Sequence, residues 1–114
     1  MLGKTTREVA RVWARVTTLQ GPAGQSADDV EKTTQVLREQ ALPAARKLPG
    51  FKGLLALADR DSGKGITITL WESEEALRES EEAADWIRAR AADLSGGRIA
   101  SVERFQVILD EPVS

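Results

Sequence analysis

The run Gly65-Ile66-Thr67-Ile68-Thr69-Leu70-Trp71-Glu72-Ser73-Glu74-Glu75-Ala76-Leu77 constrains this chain most. Ile66 to Trp71 alternate β-branched and apolar residues at the strand period, and Trp71 closes the run. Ser73 then offers a side-chain oxygen to the free amides of a helix start, while Glu74 and Glu75 place negative charge in the positive first turn. A strand therefore passes into a helix within about two residues, with a large aromatic at the corner. Junctions of this kind are where small α+β domains build pockets, so Trp71 is the first candidate site residue.

The rest of the chain supplies the other elements. Val9 to Gln20 read as a strand, with Val12, Ala14, Val16 and Thr18 on one face and Arg11, Trp13, Arg15, Thr17 and Leu19 on the other. Gly21 to Gln25 form a loop, and Ser26 with Asp29 resembles a capping box that starts a helix near Ala27. The stripe of that helix is Val30, Thr34, Leu37, Ala41, Ala44, Ala45 and Leu48. Pro43 falls inside it and must kink the helix or open a second segment, because it lacks an amide donor and crowds the preceding turn. Pro49-Gly50 ends the element. Phe51 to Ala58 make a strand that is apolar on both faces, and Asp59 to Gly65 form a hairpin loop into the Trp71 strand. A second helix over Ser73 to Asp93 carries Ala76, Leu77, Ser80, Ala84, Ile87, Ala91 and Leu94 inward, with Trp86 on the flank. Gly96-Gly97 stops it, Ile99 to Leu109 form the last strand, and Asp110 to Ser114 a polar tail.

The order is β-α-β-β-α-β, the split arrangement of ferredoxin-like α+β folds, with two helices on one face of a four-stranded antiparallel sheet. A length of 114 residues suits a single domain, with its core over about residues 9–109. The uncovered sheet face is the problem. Strand two is apolar on both sides, and strand three sets Thr and Trp against Ile and Leu. Two helices cannot bury both faces, so the pattern predicts a homodimer packed sheet against sheet.

Composition removes several chemistries. The chain contains no Cys, His, Tyr or Asn. That excludes disulfides, thiolate nucleophiles, Ser-His-Asp and Cys-His catalysis, and His-ligated zinc or haem. The acidic residues, such as the six Glu between Glu72 and Glu82, fit solvated helix faces better than an oxygen-only metal site, so no metal is expected. A net charge of −2, spread along the chain, does not suggest a nucleic-acid surface. No apolar run reaches the ~18 residues of a membrane span, and the start lacks a signal-peptide h-region, which makes a cytoplasmic location the expectation.

With this order and the Ile66–Leu77 segment, the chain resembles the antibiotic biosynthesis monooxygenase (ABM) domains of the dimeric α+β barrel superfamily. The similarity runs from about Val9 to Leu109. It includes the long first helix into Leu48-Pro49-Gly50-Phe51, the strand end Leu70-Trp71-Glu72-Ser73, the helix start Glu74-Glu75-Ala76-Leu77 and the closing strand Val102 to Val107. The resemblance implies a cofactor-independent monooxygenase acting on a small aromatic or quinol-like substrate, with Trp71 lining the pocket. Haem-degrading members use a His on the following helix and an Asn on the first strand, and this chain has neither. The pocket Tyr and Asn of the quinol-type enzymes are also missing, and Thr67 stands where an Asn is expected.

No catalytic residue is assigned and no cofactor is expected. The expected substrate-binding residues are Trp71, Thr67, Thr69 and Arg90, and each has a plainer role open to it. Trp71 can be a core residue with its indole N–H on a carbonyl, and the threonines simple strand formers. Arg88 and Arg90 can be solvated helix charges, and Arg15 can enter a pocket or form an interfacial ion pair. Trp13 and Trp86 suit packing or an interface. The alternative function is a non-catalytic dimeric protein that binds a small ligand or is associated with stress. A buried Arg facing Trp71 would favour the enzyme, and a cavity without titratable groups the binding protein.

Overall fold

Ser26 begins the first helix as its sequence predicts. Its hydroxyl accepts the Asp29 amide and the Asp29 carboxylate accepts the Ser26 amide, which closes a capping box and holds the carboxyl below its ordinary range. The structure is a computed structural model and describes residues 11–111. Its elements are β1 (Trp13–Gln20), α1 (Ala27–Val36), a π-helical turn (Leu37–Ala41), α2 (Leu42–Arg46), β2 (Phe51–Asp59), β3 (Lys64–Trp71), α3 (Glu74–Glu79), α4 (Glu81–Ser95) and β4 (Arg98–Gln106). Pro43 opens the separate segment α2, and the Leu42 amide reaches back five residues to the Leu37 carbonyl.

The strands lie in the order β2-β3-β1-β4 and every neighbouring pair is antiparallel, which is the ferredoxin-like sheet. Two glycines fix how its edges meet the rest of the chain. Gly63 (φ 80°) turns the β2–β3 hairpin, and a Cβ there would stand 2.3 Å from the Pro22 carbonyl oxygen. The same close approach lets the Gly63 carbonyl accept the Gly21 amide, which ties the hairpin to the end of β1. Gly50 (φ 81°) brings the entry of β2 against α3, where a Cβ would meet that of Ala76 at 2.5 Å. Its carbonyl takes the Glu72 amide, so Phe51 arrives beside Trp71.

Four expectations change. β1 begins at Trp13; Val9 and Ala10 lie outside the described residues, and Arg11 and Val12 precede the strand. The second helix is not continuous but breaks at Ser80. There the Leu77 carbonyl takes the Ser80 hydroxyl and the Arg15 guanidinium. Leu94 is exposed and Ala92 buried, because Leu94 lies beside the stripe through Ala84 and Ala91. β4 ends at Gln106, so Leu109 follows the strand instead of belonging to it.

The side chains of Trp13, Arg15, Thr17 and Leu19 share the helix-covered face with Leu54, Thr67, Thr69 and Trp71. The opposite face carries Val16, Leu55, Leu57, Ile66, Ile68, Leu70 and Phe105, of which Leu55, Leu57 and Phe105 are exposed. Val107 and Leu109 line a groove there with Val12, Leu55, Ile68 and Leu70. The opposite face is thus mainly apolar, whereas the helix-covered face mixes apolar side chains with Arg15 and three threonines. Among the described residues no helix is long and apolar enough to cross a membrane.

Candidate functional site

The strand register builds the floor of the site in rows. Trp71 pairs with Trp13 across β1 and with Phe51 across β2, which makes an aromatic row at one end of the sheet. Phe51 meets Trp71 edge-on, with ring centroids 5.5 Å apart and planes at 68°. Two residues along, Arg15 pairs with Thr69 and with Arg104, and Thr69 with Leu54. The next row places Thr17 beside Thr67.

Trp71 is 1% exposed and anchors a cluster with Ala76 and Leu77, against which Trp13, Leu48 and Phe51 pack. Its indole N–H donates to the Thr69 hydroxyl at 3.0 Å, a side-chain acceptor where a carbonyl was the expected one. Trp71 therefore serves as core residue and cavity wall together.

Arg15 decides the character of the site. It is 2% exposed, and its guanidinium carbon lies 5.3 Å from the Trp71 ring centroid. Its Nη2 donates to the Leu77 carbonyl (2.9 Å), the Ser80 hydroxyl (3.0 Å) and Glu81 Oε1 (3.0 Å). Glu81 in turn accepts from Arg104 Nε and Nη2, each at 2.6 Å. The hydrogen bonds from Arg104, reinforced by Arg15, outweigh partial burial and hold the Glu81 carboxyl down to about 2. The same pairing raises Arg104 above the ordinary guanidinium value. Arg88, one turn beyond Ala84 on α4, pairs with Asp85, and burial together with the charge of Arg15 lowers its pKa. Two donors are left over: Arg15 Nε and Arg88 Nη1 are buried with no partner among the described residues.

The roof explains why space remains. Ala41, Ala45, Ala84 and Ala91 project between helices and sheet where larger side chains would close the gap. The result is a cavity of about 60 Å³ lined by these alanines, Leu37, Leu54, Thr67, Thr69, Trp71, Arg15 and Arg88. It adjoins a wider cleft of about 270 Å³ toward the hairpin, and Leu19, Leu37 and Thr67 line both.

Three of the four expected site residues, Trp71, Thr67 and Thr69, come together in this cavity. Arg90 does not. Two residues after Arg88, it is carried to the outside of α4, where it lies 5.9 Å over the ring of Trp86, itself 66% exposed. The packing role open to Trp86 thus finds no core here. Arg15 and Arg88, for which surface or interfacial roles were open, both line the cavity. The signal in the sequence is Arg15 flanked by Trp13, Thr17 and Leu19 on a face that helices must cover. Among the described residues no three His, Cys, Asp or Glu side chains cluster to hold a metal.

A four-stranded ferredoxin-like sheet covered by helices on one face defines a class of small α+β proteins, and solved structures share this fold. The cofactor-independent oxygenase SnoaB of Streptomyces nogalater, in a single-substitution variant, matches with a TM-score of 0.64 at 18% identity, over 91% of this chain and 100% of that one. The ActVA-Orf6 monooxygenase of Streptomyces coelicolor, solved with nanaomycin D, matches at 0.62 and 17% identity over 96% of each. The haem degrader MhuD of Mycobacterium tuberculosis, with two haems bound, matches at 0.60 and 22% identity, over 88% and 99%. The fold is that of the antibiotic biosynthesis monooxygenase domains, and at these identities the likeness is one of fold. No family model matches the chain. Among sequences, the uncharacterized protein Rv2557 of Mycobacterium tuberculosis is 33% identical over 106 residues, covering 93% of this chain and 45% of its own length. Rv2558 of the same organism is 38% identical over 73 residues, 64% of this chain and 30% of its own length. The chain thus spans less than half the length of these relatives.

Proposed function

We propose that the cavity binds a small aromatic or quinol-like molecule and that the chain oxidises it as a cofactor-independent monooxygenase. The observation that carries this reading is the buried Arg15 guanidinium held against Trp71 at the inner end of an apolar pocket. In such chemistry the deprotonated substrate itself reduces dioxygen. The carbanion or phenolate gives an electron to O₂, the substrate radical and superoxide combine to a peroxide anion, a proton from solvent makes it the hydroperoxide, and loss of water leaves the carbonyl product. A dry pocket and a fixed positive charge favour the substrate anion. Arg15 stabilises that anion by its positive charge, and the proton leaves to solvent. Thr69 accepts the Trp71 N–H, so its own hydroxyl proton is available to a ligand oxygen, and Thr67 stands one strand pleat away. At about 60 Å³ the cavity is smaller than the ~150 Å³ that holds a benzene ring in an engineered core, so the ligand would extend into the adjoining cleft of about 270 Å³. Arg90, outside the cavity, has no part in this reading.

An oxygen electrode tests it: a panel of quinols and anthrones should give oxygen uptake above the buffer rate. A panel that gives none refutes turnover. The second reading, ligand binding without catalysis, is favoured by one observation: among the described residues no Asp, Glu or Lys lines the cavity to take a proton near neutral pH. Ligand-induced quenching of Trp fluorescence without oxygen uptake would establish it.

The functional unit in this proposal is a homodimer packed sheet against sheet. Exposed Leu55, Leu57 and Phe105 on a mainly apolar sheet face support it. Sedimentation of only monomer at micromolar concentrations would overturn it.

A further inference from the structure

The two unpartnered donors point beyond a neutral aromatic ligand. Arg15, Arg88 and Arg104 share two carboxylates, Glu81 and Asp85, so three positive and two negative charges leave one positive charge in the network. Glu81 is bound to Arg15 Nη2 and, through both of its oxygens, to Arg104. Asp85 is largely exposed and draws Arg88 Nη2 outward. Arg15 Nε and Arg88 Nη1 are buried and unpaired among the described residues, and both side chains line the cavity. A buried guanidinium N–H without an acceptor is unfavourable, and no carboxylate among the described residues lines the cavity to supply one.

We propose that the cavity is an acid-recognition pocket whose ligand is an aromatic monocarboxylate, its carboxylate bound by Arg15 Nε and Arg88 Nη1. The proposal rests on the reading of this cavity as an aromatic-ligand site and names the charge that its ligand carries. One unmatched positive charge selects a monoanion, and two free donors suit the two oxygens of one carboxylate. The guanidinium of Arg15 already covers Trp71, so the ligand's ring lies beside that stacked pair, under the alanine roof. Its body extends past Leu37 and Thr67 into the wider cleft.

Isothermal titration with benzoate against benzamide, and with 2-naphthoate against 2-naphthamide, tests the assignment, since each pair differs in charge and hardly in shape. The carboxylate should bind at least tenfold more tightly than its amide. Arg88→Gln should lose most of that ratio while its melting temperature stays near that of the parent. Arg90→Gln, altered outside the cavity, should keep it. Equal affinity of acid and amide overturns the proposal and leaves the aromatic-site reading standing. Binding of neither overturns both. A preference for the acid that persists in Arg88→Gln and in Arg15→Met overturns the assignment of these donors. Preference for the acid together with no oxygen uptake on any quinol supports the acid site and removes the oxygenase.

Discussion

Replacing Glu81 by Gln removes the carboxylate that joins Arg15 to Arg104, and its cost can be worked from the pairing. An ordinary Glu titrates near 4.5, and this one is held down to about 2. A tenfold change in proton affinity corresponds to ~1.4 kcal/mol, so the drop from 4.5 to about 2 sets an upper bound of ~3.5 kcal/mol. The side chain retains 30% exposure, and solvent screening brings the expected loss to ~2 kcal/mol. For a domain of this size that is a fall in Tm on the order of 8 °C. The sign follows from linkage. The folded pKa lies below the unfolded one, so the stabilisation is complete above pH ~4.5 and disappears as the pH falls toward 2. Urea unfolding of parent and Glu81→Gln at pH 7, 5, 4 and 3 should therefore give a difference that is constant from 7 to 5 and shrinks below. A variant as stable as the parent at pH 7, or a difference independent of pH, refutes the role given to this carboxylate.

Arg15→Met should leave stability within ~1 kcal/mol of the parent by urea unfolding, since Glu81 keeps Arg104 and a buried, half-satisfied charge is removed. Oxygen uptake or ligand affinity should nonetheless fall at least tenfold. Ala84→Leu puts a larger side chain into the roof; fluorescence titration should show binding abolished, with a stability change no larger than ~2 kcal/mol either way. Gly63→Ala should cost more than ~2 kcal/mol by the same unfolding assay, because a left-handed backbone and the Pro22 carbonyl at 2.3 Å both exclude a Cβ.

The elements of the fold are legible in the sequence because each has a local cause. Ser26 and Ser73 cap, Pro43 divides a helix, Gly96 takes the left-handed conformation at a helix end, and Ile66–Trp71 alternate at the strand period. The break at Ser80 is not legible. It depends on Arg15, 65 positions away, which reaches the Leu77 carbonyl and the Ser80 hydroxyl. The site divides the same way. Trp71, Thr67 and Thr69 share a strand face by simple alternation, so their meeting follows from the sequence. Choosing Arg88 over Arg90 requires the angular phase of α4, and that phase restarts at the break. The indole N–H of Trp71 shows the limit at the smallest scale: its acceptor is the Thr69 hydroxyl, two residues back on the same face, and not a backbone carbonyl.

An ordinary helix–sheet layer buries apolar groups most deeply, whereas here the deepest side chains include a guanidinium with an unpaired N–H. Such a layer is stabilised by whatever supplies the missing acceptor, so ligand binding and folding must be coupled. A ligand at a hundredfold excess over its Kd raises stability by ~2.7 kcal/mol whatever its chemistry. The discriminating comparison is therefore at equal free concentration. At the same millimolar level, 2-naphthoate should raise Tm in the parent by several degrees more than 2-naphthamide. In Arg15→Met the two shifts should converge on the smaller value. If the acid retains its advantage in that variant, burial of the ring and long-range charge suffice, and the unpaired donors of Arg15 are not what the ligand meets.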